Sequence, residues 1–134
     1  MKGFLFTDGG ARGNPGPAGA GAVLYDERII VDFGGKFLPN ATNNIAEYTG
    51  LIVGLKMAIK KGFTELTCYL DSELIVKQLS NEYKVKSIEL KKLKAKVDKL
   101  IESFSTINFE HIPREKNALA DKIVNLILDT KLEK

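Results

Sequence analysis

The chain has one cysteine, one histidine and no tryptophan among its 134 residues. A solitary Cys68 excludes a disulfide framework and any cysteine-built zinc site. Its flanks, Leu66 to Leu70, read as a strand, which makes it a core thiol. Long apolar runs are also missing, so no segment is suited to cross a bilayer as a helix. The opening MKGFLFTD lacks the apolar stretch and cleavage site of a secretory signal, and a cytoplasmic address is expected. On that basis the sequon Asn40-Ala41-Thr42 is read as unmodified. What remains is 44% hydrophobic and 28% charged, the composition of one globular domain over 1–134 that can build its own core.

Charge is present but unevenly placed. The formal net charge is +3, yet Lys84, Lys86, Lys91, Lys92, Lys94, Lys96 and Lys99 outweigh Glu89 and Asp98, leaving +5 on 84–99 and −2 elsewhere. A solvated helix face is the plainer account of a lysine run; a polyanionic partner is the sharper one.

Periodicity orders the elements. Gly3 to Asp8 predicts a strand with Phe4, Phe6 and Asp8 on one face. The following GGARGNPGPAG holds five glycines and two prolines in eleven residues and is expected to be a loop. It is not a nucleotide-triphosphate loop, since no Gly-Lys-Ser/Thr follows and the next element reads as a strand. Ala20 to Tyr25 and Ile29 to Leu38 predict a hairpin about Asp26-Glu27-Arg28. Asn43 to Lys61 switches to helical spacing, with Thr42 or Asn43 as N-cap and Gly62 as stop. A strand follows over Leu66 to Asp71, then a short helix from Ser72 to Leu79. Ile88 to Phe104 predicts an amphipathic helix with lysines outward. Ile107 to Ile112 is a fifth strand, and Asn117 caps a last helix from Ala118 to Leu128. The order β-β-β-α-β-α-α-β-α is that of an α/β domain with a five-stranded mixed sheet flanked by helices. A helical crossover permits the first and fourth strands to pair in parallel, which would bring Asp8 and Asp71 to one edge.

Four acids stand where elements meet loops: Asp8, Glu47, Asp71 and Asp121. Each has a bland reading alone. Asp8 can start a turn, Glu47 can face the helix dipole, Asp71 can cap a helix, and Asp121 can sit in a first helical turn. Glu47 resists this best, because Leu51, Gly54 and Ala58 share its helical face and would point it at the sheet. Burying four acids without compensation is costly, and a divalent cation supplies the compensation. Magnesium suits such a cluster on a phosphate substrate, and two ions roughly 4 Å apart suit phosphodiester cleavage.

The ordered segments Thr7-Asp8-Gly9-Gly10 with Gly13-Asn14-Pro15-Gly16, Thr42-Asn43-Asn44-Ile45-Ala46-Glu47, Leu70-Asp71-Ser72 and Asn117-Ala118-Leu119-Ala120-Asp121 resemble the type 1 ribonucleases H. The resemblance implies the ribonuclease H-like fold, with three antiparallel and two parallel strands. It implies an endonuclease that cuts the RNA strand of RNA–DNA hybrids, leaving 5′-phosphate and 3′-hydroxyl ends. Asp8, Glu47, Asp71 and Asp121 match the family's ligands for two Mg²⁺ or Mn²⁺ ions. Gly9, Gly10, Asn14, Thr42, Asn43, Asn44 and Ser72 match positions that touch the hybrid, some reading 2′-hydroxyls. Double-stranded RNA is a second duplex to consider, and a monomer without membrane attachment is expected. Three departures stand out. His111 falls inside the fifth strand and not in the long loop that carries the family's histidine, so Arg114 in the short Pro113-Arg114-Glu115-Lys116 loop is the matching candidate for assisting the scissile phosphate. Glu73 replaces the usual glutamine. There is neither a tryptophan nor an inserted basic handle, which leaves the lysine-rich helix for phosphate contacts. A non-cleaving nucleic-acid-binding module and another nuclease on the same fold are the competing readings.

Overall fold

The computed structural model describes residues 1–132. Strands β1 (Lys2–Ala11), β2 (Gly16–Asp26) and β3 (Ile29–Ala41) come first, then α1 (Asn43–Lys60), β4 (Glu65–Leu70), α2 (Glu73–Leu79), α3 (Ile88–Ile101), β5 (Thr106–His111), a 3-10 turn (Arg114–Lys116) and α4 (Ala118–Leu132). The sheet order is β3-β2-β1-β4-β5. β1 and β3 run antiparallel to β2, while β4 runs parallel to β1 and to β5. The fold is the expected mixed sheet of three antiparallel and two parallel strands.

Alternation along the strands divides the sheet's faces. Leu5 of β1 and Ala22 and Leu24 of β2 are fully buried, in a core with Tyr48, Leu51 and Leu55 of α1. Val97 of α3 closes this layer, with Leu90, Leu93, Leu100 and Ile101 packed partly buried against it. The opposite face of β2 receives α4 through Ala120, Val124 and Leu128, all buried. The two helices therefore sandwich the end of β1 that carries Asp8.

Two expectations need correction. The glycine-rich segment is not a loop across its length: β1 continues through Gly9 and Gly10 to Ala11, β2 begins at Gly16, and a four-residue turn joins them. Strand propensity counts glycine as a breaker, but at Gly9 and Gly19 a helix presses close against the strand. A Cβ on Gly9 would lie 2.2 Å from the Ala46 carbonyl carbon of α1, and one on Gly19 would lie 3.0 Å from the Val124 oxygen of α4. Conformational freedom matters only in the turn, where Gly13 has φ +87°. Asp8 thus lies within β1 and does not end it. Pairing with β4 stops at Phe6↔Tyr69, whereas pairing with β2 runs on to Ala11↔Ala18.

The second correction is Asn117. It does not cap α4 with its side chain. That side chain is 1% exposed and turns inward, its amide nitrogen donating to the Thr7 carbonyl at 2.8 Å and to Asp71 Oδ2 at 3.1 Å.

Candidate active site

Each acid arrives on a different element. Asp8 comes from β1, with its carbonyl oxygen against α1: a Cβ on Gly50 would lie 2.5 Å from it. Glu47 stands one turn into α1, where Thr42 Oγ1 accepts from the Ile45 N–H and fixes the helix start. Its face is the expected one, since Glu47, Leu51, Gly54 and Ala58 are all buried. Asp71 follows β4 directly; the cap of α2 is the Ser72 hydroxyl, which accepts from the Ile75 N–H. Asp121 occupies the first turn of α4, held by Asn125, whose Nδ2 donates to its carbonyl oxygen at 3.1 Å and to Oδ2 at 3.3 Å.

Carboxylate oxygens of Asp8, Glu47 and Asp71 lie within 4.8 Å of one another. Asp121 lines the same cleft, about 440 Å³ in volume, together with Gly9, Gly10 and Asn43. Asp8 and Glu47 are 6% and 7% exposed, and Glu47 Oε2 is buried without a hydrogen-bond partner. Burial, then the charge of Asp71, pushes the Asp8 carboxyl well above its ordinary range; burial, then the charges of Asp8 and Asp71, pushes Glu47 higher still. Crowded oxygen donors, one of them orphaned, fit a hard divalent cation, which would relieve both the burial and the repulsion.

The other sequence-predicted residues separate into groups. Arg114 lines the acid cleft, its Nη2 3.7 Å from Asp121 Oδ1 and its side chain 81% exposed. Asn14, Thr42, Asn43 and Asn44 line an adjoining pocket with Ser87, and Asn43 belongs to both. The Asn14 side-chain oxygen accepts from the Asn43 N–H at 3.0 Å, and the Asn43 oxygen accepts from the Ala11 N–H at 2.8 Å. These bonds tie the β1–β2 turn to the start of α1. Ser72 lines neither pocket. His111, at the end of β5, lines neither as well. Sequence reasoning read Asn117 only as a helix cap and passed over Asn125. Asn125 had a usable signal, its position four residues after Asp121 on one helical face.

A family described as reverse transcriptase-like matches residues 6–127. The crystal structure of RNase H1 from Halobacterium salinarum superposes with a TM-score of 0.94 at 36% identity, over 97% of this chain and 99% of that one. The chain belongs to the type 1 ribonuclease H family. LC11-RNase H1, solved in complex with an RNA/DNA hybrid, superposes with a TM-score of 0.92 at 42% identity, over 97% and 99% of the two chains. The bifunctional protein Rv2228c of Mycobacterium tuberculosis is 44% identical over 131 residues, which are 96% of this ribonuclease H chain and 36% of that protein. The chain thus spans about a third of the length of that relative. Among the described residues no helix is long and apolar enough to cross a membrane.

Proposed function

We propose that the protein hydrolyses the RNA strand of RNA–DNA hybrids internally, with two Mg²⁺ or Mn²⁺ ions, leaving 5′-phosphate and 3′-hydroxyl ends. The observation that carries this reading is the convergence of Asp8, Glu47 and Asp71 oxygens within 4.8 Å in a cleft that Asp121 also lines. Family membership and the hybrid bound to LC11-RNase H1 support it.

Asp8, Glu47, Asp71 and Asp121 are the residues that would hold metal. Bound there, divalent cations supply an activated water and charge stabilisation at the leaving oxygen. The remaining roles fall to the chain's own groups. Asn117 fixes the Asp71 carboxylate, and Asn125 fixes that of Asp121. Asn14, Thr42, Asn43 and Asn44 form a polar wall beside the cleft, placed to contact the hybrid. At Gly10, where a Cβ would point into open space, the backbone lets the duplex approach without a side chain in its way, while Gly9 lets α1 close on β1. Arg114, exposed at the rim, meets the scissile phosphate or escorts the product.

The deciding experiment incubates the protein with end-labelled hybrid, duplex RNA, duplex DNA and single strands, with Mg²⁺ or Mn²⁺, and resolves products on a sequencing gel. Internal cuts confined to the RNA strand of the hybrid, with 3′-hydroxyl ends, are expected. Binding without cutting in either metal would instead indicate a non-cleaving module.

A further inference from the structure

The acid cleft has a second arginine. Among the described residues, Arg12 and Arg114 are the two cations that line it. A cleft of four carboxylates needs positive charge at its rim to receive a polyanion. Arg12 sits in the β1–β2 turn, where its N–H donates to the Pro17 carbonyl at 2.8 Å. Its guanidinium Nη2 donates to Asp129 Oδ1 at 2.5 Å. Asp121, Asn125 and Asp129 recur every four residues on α4, so this contact anchors Arg12 at the far end of the stripe that begins at the acid cluster. Eight residues of helix place Asp129 about 12 Å from Asp121 along the axis. Arg114 marks one end of that stripe and Arg12 the other.

An ion pair with side chains 42% and 60% exposed contributes little to stability. Its geometric effect is larger. A guanidinium has five N–H donors in a rigid fork, and the bond to Asp129 uses one. Among the described residues the others have no partner, on a side chain whose backbone is fixed by the turn and whose tip is tethered to α4. Such a held fork suits a phosphate oxygen.

We propose that Arg12 binds a phosphate of the RNA strand being cut, a different phosphate from the scissile one, and that Asp129 is the positioning residue that aims it. The inference rests on the hybrid-cleaving reading and adds a contact to it.

Fluorescence anisotropy of a labelled hybrid in Ca²⁺, across a KCl series, tests it. Arg12→Gln is expected to raise Kd about tenfold at 100 mM KCl and to reduce the slope of log Kd against log [KCl] by about 0.9, one phosphate contact. Asp129→Asn should weaken binding two- to threefold and leave that slope in place, because the charge remains and only its aim is lost. Lys60→Gln, at the opposite end of α1, controls for net charge. Neutral methylphosphonate linkages in the RNA strand should erase the difference between the parent and Arg12→Gln.

A Kd and slope for Arg12→Gln equal to those of Lys60→Gln would overturn the proposal. Erasure by linkages in the DNA strand alone would overturn it too. Cleavage by the parent in Mg²⁺ separates the two readings. A parent that cuts without Arg12 dependence defeats this inference alone, and one that binds through Arg12 without cutting defeats the cleavage reading alone.

Discussion

Asp8 and Glu47 must be ionised to hold a cation, and ionising them in the folded protein without one is unfavourable. Their folded-state pKa values are raised, Asp8 to about 7 and Glu47 further, mainly by burial. Below the unfolded carboxylate range both states carry the proton and stability is full. As pH climbs through the folded values the folded protein holds protons the unfolded chain has released, so stability falls. In EDTA the melting temperature should therefore drop steadily between pH 5 and pH 8. Glu47→Gln should flatten that drop and melt higher than the parent at pH 8, while losing at least a hundredfold in hybrid cleavage with Mg²⁺. Differential scanning calorimetry and a hybrid cleavage assay check the pair of outcomes; a parent whose melting temperature rises over this interval in EDTA contradicts the assignment. Adding Mg²⁺ at pH 8 should raise the parent's melting temperature, since binding favours the folded state.

Elements meet this site through contacts too close for side chains. Gly50→Ala would thrust a methyl group into the Asp8 carbonyl oxygen, only 2.5 Å from where its Cβ would stand. Separating α1 from β1 should cost about 1–3 kcal/mol in urea unfolding and raise the Mg²⁺ concentration needed for cleavage, because Asp8 and Glu47 ride on the two elements. Asn117→Ala removes the donor to Thr7 and Asp71, and leaving the buried Thr7 carbonyl unpaired should cost about 1–3 kcal/mol together with a loss of cleavage rate. Retained stability in urea would show that water replaces the amide. These contacts also explain which parts of the fold were legible in the sequence. Glu47 could be read because helical periodicity states which neighbours share its face, and Asp71 because an apolar strand ends beside it. The strand character of Gly9 to Ala11 and of Gly16 to Gly19 was hidden, because glycine reports local freedom while the cause lay in Ala46 and Val124, distant in sequence. Asn117 was hidden for a related reason. A cap is the local use of an asparagine before a helix, whereas its partners Thr7 and Asp71 lie 110 and 46 residues away.

Across the whole molecule, charge is segregated, with the acids gathered at one end of the sheet and the lysines along 84–99. Lys84 and Lys86 line a groove with Ser87, which also borders the pocket of Asn14, Thr42, Asn43 and Asn44. A polyanion seated on the acid cleft and its asparagine wall would extend toward them. Replacing both lysines by glutamine should weaken hybrid binding across all sequences and lower the salt slope by nearly two, about 0.9 per phosphate, as an anisotropy titration would show; an unchanged slope would mean those lysines only solvate the surface. The sheet itself is asymmetric at the cleft. β1 outruns β4 by several residues, so from Thr7 onward one edge of β1 has no strand beside it. Asn117 and Asn43 occupy part of that edge through Thr7 and Ala11. Alanine scanning removes no backbone group of this main-chain wall: at Gly9 the added methyl group would only clash with α1. A Cβ on Gly10 would meet nothing within 4 Å, so Gly10→Ala meets no steric obstacle in the fold and still leaves every backbone group in place. Atom-level replacement, an ester for an amide at Gly10 or Ala11 introduced by chemical ligation, is what this part of the protein would register.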